Sequence, residues 1–162
     1  MRRQSLGLLG LAAIAVAVAP ISARPQGGAA PPAGYRPGLG DLMTMTVQPR
    51  HLKLGLAGQE KNWVYAQYEL HELEEALERV GKIVPKWREI DIAGNILATT
   101  KEPLEAVEQA IKAKDPAKFA DAYGRLTATC NACHQSSNVA MIVIQVPKTS
   151  PFANQDFRPV KP

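Results

Sequence analysis

Both cysteines of this chain fall within one pentapeptide, Cys130-Asn131-Ala132-Cys133-His134. Two thiols separated by two residues and followed at once by an imidazole form the C-x-x-C-H pattern at which c-type haem is attached. At such a site the thiols form thioether bonds to the porphyrin vinyl groups, and the histidine gives a nitrogen to one axial face of the iron. That chemistry consumes two cysteines and no more, so the fold must bring Cys130, Cys133 and His134 onto one haem c.

Other uses of the motif fit the sequence less well. A structural zinc site needs four ligands in paired spacing, so the cysteine pair and His134 would have to recruit the distant His51 or His71. A thioredoxin-like dithiol belongs beside a βαβ pattern, which this sequence lacks, and has no use for the histidine. In an exported protein the pair can also be read as a simple disulfide; His134 at the required offset argues against that. Chance occurrence of the pattern in a chain this short is roughly one in a thousand.

At 162 residues the chain accommodates one domain. Arg2 and Arg3, an apolar run from Leu6 to Val18 and the close Ile21-Ser22-Ala23 predict a signal peptide over residues 1–23, cut after Ala23. The apolar run, about 13 residues, is short against the roughly 20 of a spanning helix, so no stable membrane insertion is expected after cleavage. A single Arg pair is weak evidence for twin-arginine export, and no cysteine near the cut supports a lipid anchor. Export and the haem motif agree, which places the mature protein in the periplasm. Losing Arg2 and Arg3 lowers the formal net charge from +4 to +2, too small an excess to suggest nucleic-acid binding.

Residues 24–38, rich in Pro, Gly and Ala, read as a flexible mature N-terminus. Leu39 to Ala57 carries Leu42, Met45, Leu52 and Leu56 on one stripe, with Leu39, Met43 and Val47 alongside, and predicts a first helix. Pro49 should kink or restart it, and the Gly58 region should turn the chain. The strongest rhythm spans Gln59 to Gly81: Trp63, Ala66, Leu70, Leu73, Leu77 and Val80 face inward. Glu69, Glu72, Glu74, Glu75 and Glu78 form the solvated side, and Gly81 is the expected stop. From Lys82 to Thr99, Pro85, Gly94 and Asn95 break up a segment with one short helix around Trp87 to Ala93. Thr100 then caps a third helix to about Lys112, with Pro103 in its first turn and Leu104, Val107 and Ile111 inward. Asp115-Pro116 starts a fourth, in which Phe119, Ala122, Leu126, Thr129 or Cys130, and Cys133 share the buried face. Val139 to Val146 either extends that helix or crosses the haem edge as a strand, closing a domain over residues 39–146. A Pro-rich tail follows over residues 147–162.

Four amphipathic helices with haem attachment on the last resemble the class II c-type cytochromes, the cytochrome c' and c-556 group. The resemblance covers roughly Leu39 to Gln135, and C-x-x-C-H is its one highly specific element. It implies an all-α fold: an antiparallel four-helix bundle with haem bound on the last helix. It also implies thioether bonds from Cys130 and Cys133 and an iron bond from His134. The low-spin branch takes a methionine of the first helix as sixth ligand, which singles out Met43 and Met45; ordinary core packing is their alternative role. His51, on the same helix, is a further contender for that position, and His71 reads as a surface histidine. Met141 follows His134 too closely to fold back onto the opposite haem face. Gas-binding relatives typically carry a basic residue four places after the histidine, where this chain has Asn138.

The expected function is therefore a periplasmic electron carrier with redox proteins as partners and no substrate chemistry of its own. The resemblance adds pairing of two copies through the first two helices, as relatives often do. A five-coordinate haem protein that binds nitric oxide or carbon monoxide is the alternative, and a non-redox scaffold folded round its haem is a third reading. No nucleophile–base pair, phosphate loop or second metal cluster at recognisable spacing suggests an enzyme.

Overall fold

The computed structural model describes residues 34–160; the expected leader, and residues 24–33 of the expected flexible N-terminus, lie outside the described residues. Helix begins at Leu39, as the periodicity predicts, and its first rod has three consecutive pieces: α1 (Leu39–Leu42), a π-helical stretch (Met43–Val47) and α2 (Gln48–Gln59). Pro49 explains the middle piece. A proline has no N–H, and its ring crowds the carbonyl four residues back, so an α-helix cannot run through it undisturbed. Here the turn widens until the Gln48 N–H reaches the Met43 carbonyl, five residues back. Pro49 then sits in the first turn of α2, where the missing donor is tolerated, and the rod continues.

α3 (Trp63–Ile83) is capped by Asn62, whose side chain accepts the Tyr65 N–H at 3.2 Å. The predicted stripe is buried from Ala66 to Val80. Two expectations are corrected. Gly81 does not stop the helix; it lies inside α3, and a Cβ there would stand 3.4 Å from the Ala93 backbone, so its bareness serves close packing. Glu69 is not solvated. It is 1% exposed, and Arg50 lies 3.3 Å from it while also pairing with Glu72 at 3.0 Å.

A two-residue hairpin replaces the short helix expected around Trp87: β1 (Lys86–Trp87) pairs antiparallel with β2 (Ile90–Asp91), Trp87 opposite Ile90. α4 (Ile92–Lys112) starts well before Thr100, because the Asp91 side chain accepts the Gly94 N–H at 3.0 Å and caps it. Gly94, expected as a breaker, has no Cβ to collide with that carboxylate. Pro103 consequently lies inside α4 rather than in its first turn. α5 (Pro116–Ser136) begins where predicted, with Asp115 accepting the N–H groups of Ala117 and Lys118.

Contacts run from α2 to α3, α3 to α4, α4 to α5 and α5 back to α2, around one core in which Leu54, Leu70, Val80, Val107 and Leu126 are fully buried. α2 and α5 meet where Gly55 and Gly58 lie against Tyr123 and Phe119. Gly58 is thus a packing residue within α2, and the turn falls slightly later, at left-handed Lys61 (φ 58°).

After α5 the chain has neither helix nor strand up to residue 160. Its last part is nevertheless packed. Gln59 donates to the Pro147 carbonyl at 2.9 Å, Asn62 to those of Phe157 and Arg158, and Phe157 is buried against Tyr65.

Candidate functional site

Cys130, Cys133 and His134 stand at i, i+3 and i+4 on α5, one face of the helix. All three line a cavity of about 290 Å³. Met43, Val47 and His51 of the first rod form another wall, Trp87 and Ile92 a third, and Ile142 and Ile144 cross over it from the segment after α5. No Lys, Arg, Asp or Glu lines it. Such surroundings penalise a thiolate: burial, reinforced by neighbouring Cys133, pushes the Cys130 thiol up to about 11. A dithiol oxidoreductase needs the opposite shift.

The end of α5 builds the rest of the site. Asn138 takes the left-handed conformation (φ 57°) just past the helix. The Asn138 N–H bonds the Gln135 carbonyl, and the Val139 N–H bonds that of His134, the paired reversal of a Schellman motif. The chain therefore turns back at once, and Asn131 fastens it with two bonds to Ile144, donating to its carbonyl at 2.9 Å and accepting its N–H at 2.7 Å. This brings the Ile142 carbonyl to 2.8 Å from His134 Nδ1. A carbonyl can only accept, so Nδ1 carries the hydrogen and the lone pair of the neutral ring lies on Nε2. Metal-bound histidines are characteristically held in this way, with the second nitrogen donating to a backbone carbonyl or carboxylate. In the sequence Asn131 reads as a spacer within the motif; nothing in its spacing marks it as an anchor.

Of the expected methionines, Met43 lines the cavity, whereas Met45 is 70% and Met141 81% exposed. His51 borders the cavity but is held to α5 by its ring and by its carbonyl, which accepts the Tyr123 hydroxyl at 2.8 Å. The Thr127 hydroxyl donates to the Tyr123 carbonyl, so its oxygen accepts from His51 Nε2–H at 3.0 Å, while Nδ1 faces the Tyr123 hydroxyl at 3.1 Å. Burial lowers the His51 pKa to about 4, which keeps the ring neutral. His71 lies on the surface, 3.4 Å from Glu75.

Among the described residues no three His, Cys, Asp or Glu side chains gather as a metal-holding group. None of their helices is long and apolar enough to cross a membrane. No family model, curated protein or solved structure matches the chain.

Proposed function

We propose that this chain is a periplasmic c-type cytochrome with one covalent haem, built on an antiparallel four-helix bundle of the class II kind, that carries single electrons between redox proteins. The observation that supports it most is the convergence of Cys130, Cys133 and His134 on one uncharged cavity, with His134 Nδ1 already committed to the Ile142 carbonyl. These residues fit the group. A macrocycle wants apolar walls, its two vinyl carbons want two thiols, and its iron wants an imidazole with a free Nε2 lone pair. The porphyrin nitrogens supply the equatorial ligands, so no cluster of three protein ligands is required. Short connections, from Gln59 to Trp63 and from Lys112 to Pro116, favour antiparallel neighbours.

When bound, the haem supplies one-electron exchange at its iron. The chain's own residues set the conditions. Cys130 and Cys133 would hold the group, and His134, oriented by the Ile142 carbonyl, would bind its iron. Met43 is the thioether on the cavity wall and would be the chain's second ligand to the iron; His51 instead ties α2 to α5. Axial His with Met raises the potential relative to two nitrogen ligands, and apolar walls that exclude water tune it further. Ile142 both lines the cavity and is 50% exposed, so the cavity wall reaches the surface there. Partners that bind over a small area leave quickly, as a carrier requires.

The test is the oxidised and reduced visible spectrum of protein matured with haem-attachment machinery, followed by extraction in acid acetone. Coloured protein that keeps its haem, with the near-red charge-transfer band of methionine-ligated ferric iron, is the expected result. Colourless protein, or haem that washes out, overturns the reading. High-spin bands with rapid carbon monoxide uptake would favour the five-coordinate gas-binding alternative.

A further inference from the structure

We infer that Arg88, stacked on Trp87 at the cavity wall, is the cation that receives a haem propionate; this rests on the haem reading above. Haem carries two carboxylates, and the cavity presents no charged side chain to either. An ionised carboxylate left among apolar walls is strongly disfavoured, so the propionates have to lie at the rim and meet a cation there. Trp87 lines the cavity, and the Arg88 guanidinium lies 4.1 Å from the centre of its ring. That stack holds a planar, fork-shaped donor against a residue of the cavity wall, and such a fork matches a carboxylate with two parallel hydrogen bonds.

Two further observations single out Arg88. Lys86 and Glu89, on either side of it, pair with each other at 3.2 Å, whereas Arg88 has no carboxylate partner among the described residues. Its backbone also holds the left-handed conformation (φ 54°) at the hairpin turn, a position that suits Gly or Asn better than a long side chain. Lys101, the exposed neighbour of cavity residue Thr100 on α4, has no aromatic face to hold it and is the natural control.

Arg88→Gln keeps a planar side chain and removes the charge. In the matured protein it should move the ferrous–ferric balance at a fixed potential roughly tenfold toward ferric, since a nearby cation disfavours the more positive iron. It should also shift the ionised-carboxylate band of the propionates in the redox infrared difference spectrum. Arg88→Lys should restore most of the balance, and Lys101→Ala should leave both readouts in place. In the unmutated protein, isotope-labelled arginine guanidinium should give a redox-linked infrared shift, a readout that does not depend on how any variant folds. Matured protein with attached haem but without that shift, or an Arg88→Gln protein unchanged in both readouts, overturns the assignment and leaves the cytochrome reading standing. Protein that attaches no haem overturns both.

Discussion

His134 Nδ1 donates to the carbonyl of Ile142 across 2.8 Å, so a backbone group eight residues further on fixes the tautomer of the histidine at the centre of the site. That bond exists because Asn138 reverses the chain directly after α5.

Asn138 is therefore the place to disturb the site without touching it. A β-branched residue in the left-handed conformation costs about 1–2 kcal/mol, whereas Gly fits it freely. Asn138→Val should lower unfolding stability by that amount and speed hydrogen exchange at the Ile144 amide, which Asn131 now protects. Asn138→Gly should do neither. Urea unfolding and exchange measured by NMR check both.

Met43 and Met45 provide the second comparison. Met43→Ala should abolish the near-red charge-transfer band and open the iron to carbon monoxide. Met45→Ala removes a side chain that is largely exposed and should leave the spectrum intact. Its unfolding midpoint in urea should correspond to a stability change of less than about 0.5 kcal/mol.

Acid should loosen the fold through His51. Its folded pKa is about 4, against about 6.5 when unfolded, so between these pH values the unfolded chain binds more protons and falling pH favours unfolding. The contribution is complete above about pH 6.5 and lost as pH falls toward about 4, about 3 kcal/mol in all. Unfolding midpoints measured across that window should show the slope, and His51→Gln should flatten it.

The glycines of α2 and α5 should respond in opposite senses. A Cβ on Gly58 would strike the Phe119 ring, so Gly58→Ala should destabilise by about 1–3 kcal/mol. Nothing lies within 4 Å of a Cβ on Gly124. Gly124→Ala should therefore stabilise by about 0.5–1 kcal/mol. Thermal unfolding of the two variants checks the contrast.

Periodicity makes the helices legible wherever one face is apolar and the other charged, as from Ala66 to Val80, and Asp115-Pro116 locates the start of α5 to the residue. The misreadings share a cause: each residue answers to a neighbour distant in sequence or to a cap that periodicity does not mark. Glu69 reads as solvated because its partner Arg50 belongs to another helix. Gly58 and Gly81 read as stops because the ring of Phe119 and the backbone of Ala93, which need their bareness, lie elsewhere in the chain. Gly94 and Pro103 read as a break and a first turn because the cap that extends α4 backwards, Asp91, sits among residues that look like a loop. At the candidate site, spacing alone singles out the two thiols and His134, which line one cavity. It does not single out the strap that orients His134, since an Asn131–Ile144 pairing leaves no periodic trace.

The burial of Phe157 has a consequence for biosynthesis. Asn62 bonds its carbonyl across 95 residues of sequence, so the corner between the first two helices stays unsealed until Phe157 has been made. Cys130, Cys133 and His134 emerge before that closing piece does. Residues that follow the pentapeptide thus complete the packing around residues made long before it.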